Sequence, residues 1–212
     1  MKNNTVREIS KSFDCNGGFY YWCGKAFDIM LLSIFWIVGS LPVFTIGVAS
    51  SALYYSTCKS IKTDEQPVSK SFWHSYKDSF KEGTVHGVLI IVSLFVLLLN
   101  FGIVRAKLSG NLKIGMMMFY IALITFVLMI SGYVFPLISR FRMPFGWYTK
   151  VAIYSVFKNL HISILLMLLI TVMYYLAYKC ILLMVFIPGI YVYVSTFILE
   201  KIIVKLQKTD IE

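Results

Sequence analysis

The sequence predicts an all-α protein, built as a polytopic bundle of transmembrane helices. Five stretches contain no Asp, Glu, Lys or Arg. A helix rises about 1.5 Å per residue, so roughly 20 apolar residues cross a hydrocarbon core of about 30 Å. Each stretch reaches that length. These apolar windows are Ile29–Cys58, Gly83–Val104, Ile114–Ser139, Asn159–Tyr178 and Cys180–Leu199.

The composition agrees with a membrane class and limits the number of domains. Of the 212 residues, 58% are hydrophobic and 14% are charged, whereas charged residues make up about 25% of a typical soluble domain. The segments outside the windows are too short to build a separate folded core. We therefore predict a single integral membrane domain that covers residues 1–212.

The first window is predicted to be broken at Leu41-Pro42-Val43. Pro42 has no amide hydrogen and its ring clashes with the preceding helical turn, while Gly47 adds backbone freedom. The Thr45 hydroxyl is predicted to bond carbonyl groups that the break leaves free. If the chain turns back here, 16 of the 20 Lys and Arg residues share one face, which the positive-inside rule makes cytoplasmic together with both termini. A single crossing of this window stays open as the alternative.

Two connections between windows are predicted to form short amphipathic helices at the membrane interface. Both interleave basic and aromatic residues, which suit anionic lipid headgroups. Anionic lipid accounts for the net charge of +10, so no nucleic-acid partner is predicted. In the first connection the apolar positions are Val68, Phe72, Trp73, Tyr76 and Phe80. Contacts with lipid or with a partner protein are predicted for Phe72, Trp73, Lys77, Lys81, Arg140, Arg142, Trp147 and Lys150.

The two connections raise the possibility of an internal repeat. Each ends in the same dipeptide, Phe80-Lys81 and Phe157-Lys158, and a histidine follows shortly after it. Chance explains these matches about equally well in a chain rich in Phe and Lys.

No catalytic, cofactor-binding or metal-binding set can be assembled from the sequence, and no enzyme activity is predicted. The four cysteines (Cys15, Cys23, Cys58 and Cys180) lack metal-ligand spacing. His74, His86 and His161 are interpreted as interface residues, with a cluster of the three in the folded protein as the alternative. Asp28 lies three residues after Lys25 at the mouth of the first window. These two residues are predicted to form a local pair or a helix cap, with an entrance to a site as the alternative.

Prolines in the apolar windows suggest further breaks. Pro188-Gly189 is predicted to split the last window, and Pro136 lies near the end of the third. Broken helices build substrate sites in some transporters, but kinks that neighbouring helices repair are the alternative. No window interior carries a charged residue, which argues against transport driven by protons or sodium ions.

The run from Phe35 to Gly47, FWIVGSLPVFTIG, resembles the signature of the YesL-like family of bacterial membrane proteins of unknown function. The segments Ser71–Lys81 and Phe135–Phe141 are similar to further motifs of that family. The resemblance implies a location in the bacterial cell membrane. It also implies a non-enzymatic accessory role in carbohydrate transport or sensing, with a sugar permease or a sensor kinase as partner. A small-solute transporter or channel in its own right is the alternative, and no oligomeric state is predicted.

Overall fold

The computed structural model describes residues 18–63, 66–179 and 186–209, and within these ranges the chain is helical with no strand. The predicted all-α class is confirmed. The long helices are α1 (Gly18–Gly39), α4 (Phe80–Lys107), α5 (Gly110–Arg140), α7 (Leu160–Lys179) and α8 (Ile187–Thr209). The shorter helices are α2 (Ile46–Ser56), α3 (Val68–Asp78) and α6 (Phe145–Lys158).

Two of these helices, α4 and α5, are long and apolar enough to cross a membrane. They contain 28 and 31 residues, and an 18-residue window in each has a mean hydropathy of 2.8 and 2.3. Their lengths of about 42 and 46 Å exceed the hydrocarbon core. The bent pair formed by α6 and α7 makes a third crossing if it is counted as one span, with a bend of 97°. The described residues thus define two or three crossings, and five separate membrane windows remain a prediction.

The first apolar window is broken where the sequence predicted. Helix α1 ends at Gly39, a short 3-10 turn occupies Val43–Thr45, and α2 begins at Ile46. Pro42 lies in an extended conformation directly before the 3-10 turn. The break therefore separates two helical arms, which pack against each other as a hairpin.

The second arm of this hairpin ends in an unusual backbone. After Ser56 the chain continues as a π-helix over Thr57–Lys62, and π-helical segments often mark functional sites. Thr57, Cys58, Ser60 and Ile61 are buried there, so this segment faces the interior of the molecule.

The hydrophobic core lies between the hairpin, α3, the end of α5, α6 and α8. Its largest fully buried side chains include Leu32, Tyr54, Phe72, Leu137 and Tyr148. In contrast, the middle of α4 contributes little to this core, and its apolar side chains such as Phe95 and Leu99 are exposed. Lipid is the environment that suits these side chains in a spanning helix.

Glycine contacts attach the hairpin to the first spanning helix. Gly83 and Gly87 of α4 lie against Gly47 and Val48 of α2, and a Cβ atom on any of the three glycines would crowd the opposite backbone. Gly47 lies in regular helix, and Gly110 is the glycine with a positive φ among the described residues. The predicted role of Gly47 in backbone freedom is therefore wrong, because the absent side chain is what the contact requires.

Helices α3 and α6 join the helices that follow them in the same way. A single residue, Ser79 or Asn159, separates each pair, and its amide donates to the carbonyl four residues earlier, at Ser75 (2.9 Å) or Ser155 (3.0 Å). However, Phe80-Lys81 follows its break, whereas Phe157-Lys158 precedes the other. The two dipeptides therefore do not occupy corresponding positions, and the similarity lies in the helix breaks.

Candidate functional site

The break in the hairpin is held by the hydroxyl of Thr45. Its Oγ1 lies 2.7 Å from the carbonyl oxygen of Gly39 and 2.6 Å from that of Pro42. A hydroxyl has one proton, so it donates to one of these carbonyls at a time. Thr45 is buried, and its predicted bonding to free carbonyls at the break is confirmed.

The tip of the hairpin is apolar and open. Leu41 is 74% exposed, and Val43 and Phe44 beside it are also exposed. Three exposed apolar side chains on one turn do not suit water, but they suit the hydrocarbon region of a bilayer. The tip residues Leu41, Pro42 and Val43 therefore form a surface, while Thr45 and Gly47 stabilise the backbone behind it.

Helix α3 packs along the hairpin through aromatic contacts. The Phe72 ring lies 5.7 Å from the ring of Phe35 in α1, and the Tyr76 hydroxyl donates to the Gly39 carbonyl at 3.1 Å. This second bond to Gly39 connects α3 to the break itself. Phe72 is fully buried, so its predicted contact with lipid or a partner is wrong, because it faces the core of its own chain.

A charged cluster closes the opposite end of the hairpin. Glu200 of α8 pairs with Lys62 of the π-helix at 2.7 Å and with Arg140, the last residue of α5, at 2.5 Å. The Lys62 ammonium also lies 4.2 Å from the ring centroid of Phe197. A single carboxylate thus joins three elements that are distant in sequence.

Buried polar groups accompany this cluster. The Tyr54 and Ser56 hydroxyls are buried without a hydrogen-bond partner among the described residues. Lys25, which is also buried, donates to the carbonyl of Ile61 in the π-helix. Lys25 therefore stabilises the irregular end of the hairpin, and its pairing with Asp28 remains a prediction.

A second polar node joins α4 to α6. The Tyr148 hydroxyl lies 2.8 Å from a Glu82 carboxylate oxygen and 2.8 Å from the Phe141 carbonyl, and it accepts a hydrogen bond from the Met143 amide at 2.9 Å. Helix α6 is about 21 Å long, too short to cross a membrane alone. Burial raises the pKa of Tyr148 to about 12, so its hydroxyl remains a donor at neutral pH.

His86 lies beside this node and is buried. Its ring centroid is 4.2 Å from that of Phe145, and its Nδ1 is 3.0 Å from the Glu82 carbonyl. The other ring nitrogen has no partner among the described residues. His74 instead lies near Asp78 at 3.4 Å and His161 is exposed, so the three histidines do not form one cluster.

The start of α8 is fixed against α1. The Ser33 hydroxyl accepts a hydrogen bond from the Gly189 amide at 3.0 Å and donates to the Ile29 carbonyl at 2.9 Å. Pro188 is the second residue of α8, a position where a missing amide hydrogen costs little. Residues 180–185 lie outside the described ranges, so the predicted split of the last window remains a prediction.

The remaining predicted contact residues divide into paired and exposed groups. Arg140 pairs with Glu200, and Arg142 donates to Asp78 at 2.8 Å, while Trp147 is half-buried and packs 5.2 Å from Phe141. These three residues hold the framework. Trp73, Lys77, Lys81 and Lys150 are exposed and remain available at the surface.

Cysteines and acids do not assemble a metal site in the described ranges. No group of three or more His, Cys, Asp or Glu side chains is suitably placed there. Cys58 is buried and Cys23 is exposed, while Cys15 and Cys180 lie outside those ranges. Most of the polar groups described here bond to one another or to the backbone, and these bonds stabilise helix packing.

Comparison with known proteins gives one match. Residues 29–101 match a family model described as a protein of unknown function, DUF624. The match covers about a third of the chain, from the hairpin through α3 into α4. No curated protein and no solved structure matches the chain. The similarity thus includes the break, the Gly47 contact and the outer face of α3, and it assigns no activity.

Sequence reasoning missed two parts of the site. Nothing in the sequence around Glu200 marks it, but it is the centre of the charged cluster, with partners 138 and 60 residues away. The contact at Gly83 and Gly87 could have been predicted, since two small residues four positions apart often mark close helix packing in membranes. The ion pairs had no such signal.

Proposed function

We propose that this protein is a non-enzymatic accessory of a membrane transport or sensing system, which acts by binding a partner protein. The chain would lie in the bacterial cell membrane with both termini in the cytoplasm. The resemblance of its first hairpin to the YesL-like family suggests carbohydrate uptake or sensing as the setting. A sugar permease or a sensor kinase is the partner that fits this proposal.

The observation that carries the proposal is the tight packing between α5, α7 and α8. An internal cavity between α5, α7 and α8 has a volume of about 10 Å³, with lining residues that include Met129, Tyr133 and Ser163. This volume corresponds to about one water molecule. Such packing suits a scaffold better than a protein that moves a solute through its own core.

The surface supports the same proposal. Lys81 at the start of α4 and Lys150 in α6 are exposed, and neither takes part in an ion pair within the described residues. The neighbouring cations Arg140 and Arg142 are paired with acids of the same chain. Lys81 and Lys150 therefore remain available for an acidic partner surface, whereas Arg140 and Arg142 are paired within the chain.

The first experiment is purification from native membranes. The protein carries a tag at its carboxyl end, is extracted in a mild detergent, and is analysed for co-purifying proteins by quantitative mass spectrometry. We expect a permease or a sensor kinase in stoichiometric amount. Lys81→Gln/Lys150→Gln is expected to reduce its recovery, whereas Lys70→Gln/Lys77→Gln, which removes the same charge from α3, should retain it.

Recovery of the protein alone, or only with further copies of itself, would contradict the accessory role. In that case the purified protein should be tested for solute flux in liposomes. Flux would favour a transporter or channel in its own right, for which the broken first hairpin is the structural candidate.

A further inference from the structure

We infer that the outer face of α3 is a binding site for the headgroup of an anionic phospholipid. This inference does not depend on the accessory role, because a lipid site serves any membrane protein of this architecture. Its basis is the shape, charge and position of one group of side chains on α3.

The side chains on the outer face of α3 leave an open space of about 400 Å³ between them. Its lining residues are Ser69, Lys70, Trp73, His74 and Lys77. The opposite face of the helix, with Phe72 fully buried, packs into the core. Helix α3 is therefore held in place by its buried face, and its outer face points away from the protein.

The spacing of the lining residues suits a phosphate group. Lys70 and Lys77 are seven residues apart, which places them on the same face of a helix about 10.5 Å apart along its axis. Trp73 lies between them and is 40% exposed. Two flexible ammonium groups can approach one phosphate from either side, while an indole ring at headgroup depth contacts the glycerol and upper acyl region.

The charge of this face is positive and is not compensated by an ion pair within the described residues. No ion pair links Lys70 or Lys77 to a carboxylate in the ranges that the structure describes. The nearest acid on the helix, Asp78, accepts a hydrogen bond from Arg142 at 2.8 Å, so its charge is already paired. An anionic ligand is therefore the expected counterpart of the two lysines.

The position of α3 favours lipid over a soluble anion. One residue, Ser79, separates α3 from α4, and α4 is a helix that is long and apolar enough to cross the membrane. Since α4 begins at Phe80, which is exposed, the end of α3 lies where the hydrocarbon core gives way to headgroups. Trp73 and Phe80 are the aromatic side chains expected at that depth.

The test measures how brominated lipids quench Trp73 fluorescence in the full-length protein. The protein is reconstituted in nanodiscs of phosphatidylcholine with increasing amounts of brominated phosphatidylglycerol, and in parallel with brominated phosphatidylcholine. The difference between wild type and Trp73→Phe isolates the signal of Trp73. We expect phosphatidylglycerol to quench it at a lower mole fraction than phosphatidylcholine does.

Charge variants then test the site itself. Each lysine near an anionic surface contributes about fivefold in affinity, so Lys70→Gln/Lys77→Gln should weaken the preference for phosphatidylglycerol roughly 25-fold. Lys70→Arg/Lys77→Arg should keep the preference. Lys81→Gln/Lys150→Gln, which removes the same charge elsewhere, should also keep it. Circular dichroism of each variant checks that the helical content is unchanged.

Three results would overturn the inference. The first is equal quenching by the two brominated lipids. The second is an equal loss of preference in both Gln double variants, which would indicate diffuse attraction to an anionic membrane. The third is an absence of Trp73 quenching by either brominated lipid. This is expected if water or an acidic protein surface covers the outer face of α3.

Discussion

Gly47 in α2 and Gly83 in α4 approach so closely that no side chain fits between them. A Cβ atom built on Gly47 would lie under 3.0 Å from the Gly83 carbonyl oxygen, and 2.9 Å from both Gly87 Cα and the Phe135 ring. Backbone atoms and an aromatic ring that is packed cannot move aside cheaply. This contact therefore fixes the angle between the broken hairpin and the first spanning helix.

Gly47→Ala is expected to separate α2 from α4 and to lower the free energy of unfolding by about 1–3 kcal/mol, the usual cost of overpacking. The measurement is the melting temperature of the purified protein in detergent, followed by tryptophan fluorescence. Gly102→Ala is the matched control, because nothing lies within 4 Å of a Cβ atom at Gly102. Equal melting temperatures for the two variants would show that the close contact does not limit stability.

Thr45→Val removes the hydroxyl that holds the break, and the expected loss of stability is about 1 kcal/mol. The loss should stay small because both carbonyls keep another donor, Tyr76 for Gly39 and the Thr45 amide for Pro42. Thr45→Ser retains the hydroxyl and should melt close to wild type. The prediction fails if Ser and Val at this position have the same effect.

Glu200→Gln leaves Lys62 and Arg140 close together without their carboxylate. The side chains are 30%, 17% and 31% exposed in that order, so water screens the cations only in part. We expect a loss of about 1.5–3 kcal/mol, as for hydrogen bonds to charged groups. The melting temperature in detergent reports it.

The matched control for Glu200→Gln is Asp78→Asn, which removes a carboxylate from an exposed pair. Its partner Arg142 is 85% exposed, and pairs of this kind contribute about 0–1 kcal/mol. If Asp78→Asn lowers the melting temperature as much as Glu200→Gln does, the charged cluster is not a special stabilising feature.

Tyr148→Phe is expected to destabilise the contact between α4 and α6 by about 1–3 kcal/mol, because a buried amide and carbonyl lose their partner. The pH dependence has a definite sign. Burial raises the pKa of Tyr148 to about 12, from an ordinary value of 10.0. The part of the unfolding free energy that comes from this pKa difference is therefore complete below pH 10, and it is lost as the pH rises from 10 to 12.

The difference in unfolding free energy between wild type and Tyr148→Phe should thus shrink over that pH range. Titration of other groups affects both proteins equally and cancels in the difference. A constant difference up to pH 12 would contradict the predicted shift.

Local features of the chain were readable from the sequence. The break at Pro42 and the bonding role of Thr45 follow from the chemistry of these residues, whichever helices surround them. The helix at Val68–Asp78 follows from the spacing of its apolar residues. Which aromatic residues face inward did not follow, because Phe72 and Trp73 are neighbours with similar character. The packing of α3 against the hairpin buries Phe72 fully and leaves Trp73 40% exposed.

The sequence by itself determined that this is a helical membrane protein with a broken first segment, because uncharged runs and a proline act through local chemistry and bilayer thickness. The tertiary structure alone decided that Glu200 joins Lys62 to Arg140 and that Gly47 meets Gly83. It also decided that Lys70 and Lys77 lie on the outside of α3 without an ion pair to any described residue. These relationships depend on how helices pack across long separations in the chain, and no local pattern encodes that packing.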